Sequence, residues 1–383
     1  MKNVIFNDIT LRDGEQAAGV NLYPHEKLQI SAQLIALGVP MIEVGFPVAS
    51  GSDFDGAKLI ADVVGGMDDA PIICAMAIAT KESIDKAWQA INHAKNPRIQ
   101  IVLATSDLHL QYKLKKSRQE VLELACEMIR YAKGYCEDIE FACEDATRSN
   151  PQYLTEIIEA CIQAGATTIE LPDTTGYCIP EEYGLIVRMA KELIGDRKVN
   201  ISVHCHNDLG LATANTLAGI MNGATQVECT INGIGERVGN TAFEEVVMAL
   251  KTRESYYDVD VSNINTKEIV NTSKLVSELS GIPIGATKAI VGKNAFTTGS
   301  GIHQHGMIVN TQTYQIINPE DVGAKSYMVL SKLSGKHALK QRLTELGFDV
   351  DGNFDNVYQG FKALASKKKF ILDEDIIGLV KGK

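Results

Sequence analysis

The sequence predicts an α/β protein: a (β/α)8 TIM barrel followed by a small, mostly helical C-terminal region. Three observations predict it. Short apolar runs alternate with longer amphipathic ones eight times before about residue 252. Three of the helical runs end in near-repeats, ALGVPMIEV, QAGATTIEL and MNGATQVEC, each a C-cap glycine, a tight turn and a buried strand. The first strand runs into TLRDGEQ, without the GxGxxG fingerprint a doubly wound open sheet would carry there.

The predicted strands, in order, lie near Val4–Asp8, Met41–Val44, Ile72–Ile78, Ile99–Leu103, Ile139–Ala142, Thr168–Leu171, Asn200–Val203 and Gln226–Cys229. Helical patterns fall between and after them: Pro24–Leu37, Asp53–Val64, Lys81–His93, Ser117–Lys133, Gln152–Ala164, Pro180–Ile194, Leu209–Asn222 and Ala242–Lys251. Pro24 and Pro180 suit first-turn positions, and Gly38, Gly165 and Gly223 fall where helices should stop. Thr266–Ser280 reads as one more helix. A Gly-, Thr- and Ser-rich stretch, 281–306, leads to tail helices near Gly335–Leu346 and Asn353–Lys367. The expected organisation is a catalytic barrel over 1–275, a linker and first subdomain over 276–325, and a helical second subdomain over 326–383.

Composition narrows the function. The chain has 383 residues, 45% of them hydrophobic, enough to bury a sizeable core. With 37 basic against 48 acidic residues the net charge is -11, which argues against a sequence-independent grip on nucleic acid or an anionic membrane. The N-terminal MKNVIFNDITLRDGE does not read as a signal peptide, and no run is long and apolar enough for a bilayer. Eight cysteines are scattered without a CxxC, as expected of reduced thiols in a cytoplasmic protein.

Chemistry in such a barrel sits at the C-terminal ends of the strands. The seventh strand ends in VHCHND, and strand alternation points His204 and His206 the same way. His-x-His alone is a weak metal signal, and two satisfied histidines at a strand end are as good a reading. The other strand ends decide. After the first come Arg12 and Asp13, after the second GFP, after the fifth Glu144 and Asp145. Asp173 and Thr174 follow the sixth, and NGIGERVGN follows the eighth. Barrel closure makes the first and eighth strands neighbours, so Asp13, His204, His206 and Asn240 can meet. Two imidazoles, a carboxylate and an amide oxygen leave open positions for a bidentate substrate. Blander readings stand beside this one. Asp13 could cap a helix or pair with Arg12, Glu236 and Arg237 could form an ion pair, and Asn207 and Asp208 could cap the seventh helix. Cys205 points away and reads as packing.

DITLRDGEQ, FACED, LPDTTGY, HCHNDLGLATANTLAGI and NGIGERVGN resemble the DRE-TIM metallolyases, specifically their Claisen-condensing branch of 2-isopropylmalate, homocitrate and citramalate synthases. KAIVGKNAF, SGIHQHG and YQIINPEDVG extend the resemblance to 2-isopropylmalate synthases through the tail. It implies a divalent metal (manganese or magnesium, with zinc or cobalt as alternatives) held by Asp13, His204 and His206, with Asn240 at a fourth position. It implies acetyl-CoA as co-substrate and a 2-oxo acid whose carboxylate meets Thr174 and whose developing alkoxide meets Arg12. Proton abstraction from acetyl-CoA falls to Glu144 and to His303 from the tail, with Tyr327 near a family tyrosine. The tail of one subunit is expected to reach the other subunit's barrel in a homodimer.

The departures from the family pattern bear on the acceptor. GIHQHG carries His305 where the family has aspartate, and Thr298 stands where it has a histidine. Gln100, Val102 and Ala142 replace residues near the oxo acid pocket. Glu140 occupies the place of an arginine that meets 2-oxoglutarate in lysine-type homocitrate synthases, and would repel that substrate. The resemblance thus implies 2-oxoisovalerate as acceptor. Homocitrate synthase of the nitrogen-fixation type and citramalate synthase are alternatives, and a metal-dependent aldolase or lyase is the alternative of another class. The chain stops before the place of the leucine-binding regulatory domain, so catalysis without leucine feedback is expected.

Overall fold

In the computed structural model, residues 1–298, 300–325, 327–328, 330–349, 353–368 and 371–382 are described. Eight parallel strands close a barrel: Ile5–Asp8, Met41–Glu43, Ile72–Ile78, Pro97–Ala104, Ile139–Glu144, Thr168–Asp173, Asn200–Cys205 and Gln226–Cys229. Ile5 to Asp8 lie opposite Gln226 to Cys229, which joins the two ends of the predicted order. The predicted strands are all present. The fourth to seventh run further at their C-terminal ends than the apolar pattern suggested, so Glu144 and Asp173 are strand residues rather than loop residues.

The helices follow the punctuation. Pro24–Leu37, Pro151–Ala164 and Ala212–Met221 are followed by Gly38, Gly165 and Gly223 with φ of 87°, 116° and 116°. At Gly38 a Cβ would meet the Asn263 carbonyl oxygen at 2.3 Å, so this turn accepts no side chain. The second helix begins earlier than expected, at Gly51, because the Ser50 hydroxyl caps Asp53 N–H at 3.0 Å. Two features were not expected. Lys2–Asn3 pairs in parallel with Val259–Asp260. After the fourth strand the chain forms a short helix, Asp107–His109, and a π-helical turn, Leu110–Leu114.

The chain divides into two compact units, Met1–Ile284 and Gly285–Lys383. The predicted helix Thr266–Ser280 belongs to the first, as a short 3-10 turn and a helix over Ile269–Ser280. In the second, helices over Lys336–Glu345, Phe354–Ala365 and Asp373–Val380 bury Leu339, Leu343, Phe361 and Ile376. The Gly-rich stretch ends in a helix, Gly301–Val309, that composition concealed.

Candidate active site

At the C-terminal mouth of the barrel the predicted quartet meets. Asp13, His204 and His206 each place a ligand atom within 4.8 Å of the others, and all are buried. The Asn240 amide donates to Asp13 Oδ1 at 2.6 Å, and its Oδ1 lies 3.0 Å from His204 Nε2. The two imidazole centroids are 5.0 Å apart, as strand alternation requires, and His206 Nε2 is 3.9 Å from Asp13 Oδ2. His206 pairs across a bridge with Asn240, which ties the end of the seventh strand to the loop after the eighth.

The charges here are set against one another. Burial alone would raise the Asp13 carboxyl, but Arg12 and the two histidines hold it well below the usual carboxylate range. Burial depresses His206 to about 4, so it is a neutral imidazole with a lone pair to give. Its Nδ1 is buried without a hydrogen-bond partner. Arg12 donates from Nη1 to Asp13 and from Nε to Glu43, both at 2.7 Å, which fixes the guanidinium at the mouth. The Arg12–Asp13 pair and the convergence of the quartet therefore coexist.

Arg12, Asp13, His204 and His206 line a cavity of about 600 Å³. Thr174, Glu144, Val102 and Ala142 line it as predicted, and so does Gln100. Gln100 is fully buried, however, with its amide nitrogen committed to Glu170 Oε2 at 2.9 Å. The Thr174 hydroxyl accepts from the Asp145 N–H at 2.9 Å. Met76, Val102, Ala142 and Pro172 make one wall apolar. Glu140 lies elsewhere than expected. It is buried, paired with Arg98 at 3.1 Å and bonded by Gln226 at 2.9 Å, and it does not line the cavity. Burial pushes its carboxyl up to about 8 and the Arg98 guanidinium meets it, so the like-charge argument against 2-oxoglutarate falls.

Other sequence readings resolve in part. Arg237 pairs with Asp208 at 2.8 Å rather than with Glu236. Asn207 Oδ1 accepts from Ala212 N–H at 3.2 Å and so caps the seventh helix, while Asp208 does not. Cys205 is fully buried. In the second unit, His303 is exposed on the Gly301–Val309 helix and stacks on Tyr314 at 4.1 Å, beside a cavity of about 410 Å³. His305 lies 5.1 Å from His337, and Thr298 donates to Met307 Sδ at 2.9 Å. Tyr327 is in a short strand paired with Thr297, and its side chain lies outside the described residues.

Sequence reasoning missed two sets of neighbours. Lys113, from the π-helical turn, grips both Glu144 oxygens at 2.6 and 2.7 Å, with His109 at 3.6 Å. Beneath the quartet lie Glu43, Glu170 and Glu228, all buried. The signal was present: the near-repeats MIEV, TIEL and QVEC each carry a glutamate at the same place in an otherwise apolar strand. A carboxylate in a buried strand is costly unless it is paired or used.

Fold and site define a (β/α)8-barrel enzyme of the HMGL-like class. The family model of that description matches residues 3–276, and one described as homocitrate synthase post-HMGL domain-like matches 290–369. The HMG-CoA lyase of Bacillus subtilis shares the fold at a TM-score of 0.63 and 19% identity, over 74% of this chain and 96% of that one. Two relatives narrow the class. The 2-isopropylmalate synthase of Dictyoglomus turgidum is 54% identical over 97% of this chain and 73% of its own. The 2-isopropylmalate synthase 1 of Caldanaerobacter subterraneus subsp. tengcongensis is 52% identical over 98% and 94%. The chain belongs to the 2-isopropylmalate synthase family of acyltransferases.

Proposed function

We propose that this protein condenses acetyl-CoA with 2-oxoisovalerate and hydrolyses the thioester, giving 2-isopropylmalate and free CoA. The observation that carries the reading is the meeting of Asp13, His204 and His206 with Arg12 in one cavity, with Asn240 bonded to Asp13 and His204. The apolar wall of Met76, Val102, Ala142 and Pro172 supports a branched aliphatic acceptor over one with a second carboxylate.

The quartet suits a divalent metal, manganese or magnesium by its oxygen content, with zinc or cobalt accepted by its imidazoles. The neutral His206 and the ionised Asp13 are in the protonation states such ligands need; burial would lower His204, but Glu170 and Glu228 hold it well above the ordinary range, so it would give up its Nε2 proton on binding. When bound, the metal supplies Lewis acidity to the carbonyl of the oxo acid. Thr174 orients the acceptor's carboxylate. The Arg12 guanidinium, fixed by Glu43 and Asp13, faces the oxygen that becomes an alkoxide and stabilises charge where it develops. Glu144 and His303 move the methyl proton of acetyl-CoA, with Tyr327 assisting. The resulting carbanion equivalent forms a carbon–carbon bond to C2 of the acceptor, the alkoxide takes a proton, and water displaces CoA from the thioester.

The reading also takes the protein to act in the cytoplasm as a homodimer, with His303 delivered to the partner's barrel. Ile302, Val309 and Ile316 around His303 are 79%, 73% and 83% exposed, an apolar surface that suits burial against a second copy.

The test is thiol release from acetyl-CoA against 2-oxoisovalerate, pyruvate, 2-oxoglutarate and a no-acceptor control, with manganese or with chelator. The highest kcat/KM is expected for 2-oxoisovalerate, and none of the release should survive chelation. No release with any acceptor would sink the condensation reading, and preference for 2-oxoglutarate would sink the acceptor assignment. In the same assay His204→Ala should bring turnover to background.

A further inference from the structure

His204 is held from below as well as from the mouth. Its Nδ1 lies 3.0 Å from Glu228 Oε2 and 3.2 Å from Glu170 Oε1, so one ring nitrogen faces two buried carboxylates. One N–H cannot satisfy both, and the neighbouring donors make up the rest. Gln100 Nε2 donates to Glu170 at 2.9 Å and reaches Glu228 at 3.5 Å, strapping the two acids together. The Ser202 hydroxyl donates to Glu228 Oε1 at 3.1 Å, and Gln226 donates to Ser202 Oγ at 3.0 Å. His204 therefore has its Nδ1 committed downwards and its Nε2 directed at Asn240 and the quartet. Neither acid occupies the mouth quartet, and neither has a place in the proton transfers above.

We infer that Glu228 and Glu170, tied by Gln100, are positioning residues that lock His204 in the Nδ1–H tautomer and so set the strength of the metal site. The inference rests on the metal reading given under Proposed function. The physical reason is general: an imidazole ligand whose far N–H meets a carboxylate is oriented and made a stronger donor at its near nitrogen. It also gives Gln100 a second assignment. Its side chain lines the substrate cavity, but its amide nitrogen serves the acids behind a metal ligand.

The experiment is calorimetric titration of the metal-free full-length protein with Mn2+. The isosteric Glu228→Gln and Glu170→Gln should each weaken binding by about 10–100-fold. Asp138→Asn, a carboxylate paired with Arg98 and outside the set that meets His204, controls for general loss of negative charge and should change affinity less than about twofold. In Zn2+-loaded protein, the 15N shifts of His204 should report a protonated Nδ1, and Glu228→Gln should disturb that signature without lowering the urea midpoint in step. Wild type that binds no divalent metal would overturn the metal reading itself. Wild type that binds while both His204-facing variants bind equally well would overturn the clamp alone. So would an Asp138→Asn loss as large as theirs.

Discussion

Inside the barrel Glu43, Glu140, Glu170 and Glu228 are buried together with Arg12, Arg98 and His204, whereas the second unit is centred on Leu330, Leu339, Leu343, Phe361 and Ile376. The second unit coheres by removing apolar area from water, about 1.5–3 kcal/mol for each such side chain. The barrel interior gives up part of that gain. Its buried cations are stable because they are met: Arg12 by Glu43 and Asp13, Arg98 by Glu140, Asp138 and Gln226. What the barrel obtains in return is orientation, since each hydrogen bond fixes a group that fixes the next. An apolar core can hold a shape, but it does not aim a guanidinium.

Removing one partner of a buried pair should therefore cost the barrel most. Arg98→Met leaves Glu140 buried without its cation and should destabilise by about 3–5 kcal/mol in urea unfolding. Adding Glu140→Leu should restore much of that loss, and a double variant as unstable as the single would refute the pairing argument. Next comes the second unit, where Leu339→Ala should cost about 2–4 kcal/mol, read as lost hydrogen-exchange protection in its helices. Unchanged protection would mean that this core is not what holds the unit together.

A smaller effect, of opposite sign, tests a carboxylate without a cation. Asp8 is fully buried, with one oxygen on the Thr10 N–H and the other unpartnered, and burial pushes its carboxyl up to about 7. The folded chain thus keeps this proton to higher pH than the unfolded one. Its contribution is whole below about pH 4 and is lost as pH rises through 7. Asp8→Asn, which keeps the acceptor, should stabilise on the order of 2 kcal/mol at pH 8 and little at pH 4. A pH-independent difference would contradict this. The least effect is expected for Arg342→Ala, whose pairs with Asp373 and Glu345 lie at the half-exposed surface: below about 1 kcal/mol.

The same contrast explains what the sequence could disclose. Apolar periodicity and C-cap glycines revealed every barrel strand, because those signals are local. Closure followed from the count, and with it the meeting of Asp13 and Asn240. The second layer stayed hidden because it is made by register. Glu170 and Glu228 meet His204 only once the sixth, seventh and eighth strands are aligned, and Glu140 is sent to Arg98 by the register of the fourth and fifth. Lys113 was missed for another reason. It reaches Glu144 from a π-helical turn followed by Lys115 at φ 53°, and no spacing rule foretells that conformation. The Gly301–Val309 helix escaped because its glycines and polar residues read as loop.

The hydrogen bond from Asn240 to Asp13 joins residues 227 positions apart. During synthesis, at about 5–20 residues per second, the first half of the site leaves the ribosome well before its last member. Until the eighth strand docks on the first, Asp13 has no amide to orient it, and the barrel has a seam beside the place where a cation would be caught. The bond is thus formed late in synthesis: a fragment cut short before residue 226 would lack the strand that closes the barrel, and one cut between 229 and 240 would close it without the amide that orients Asp13.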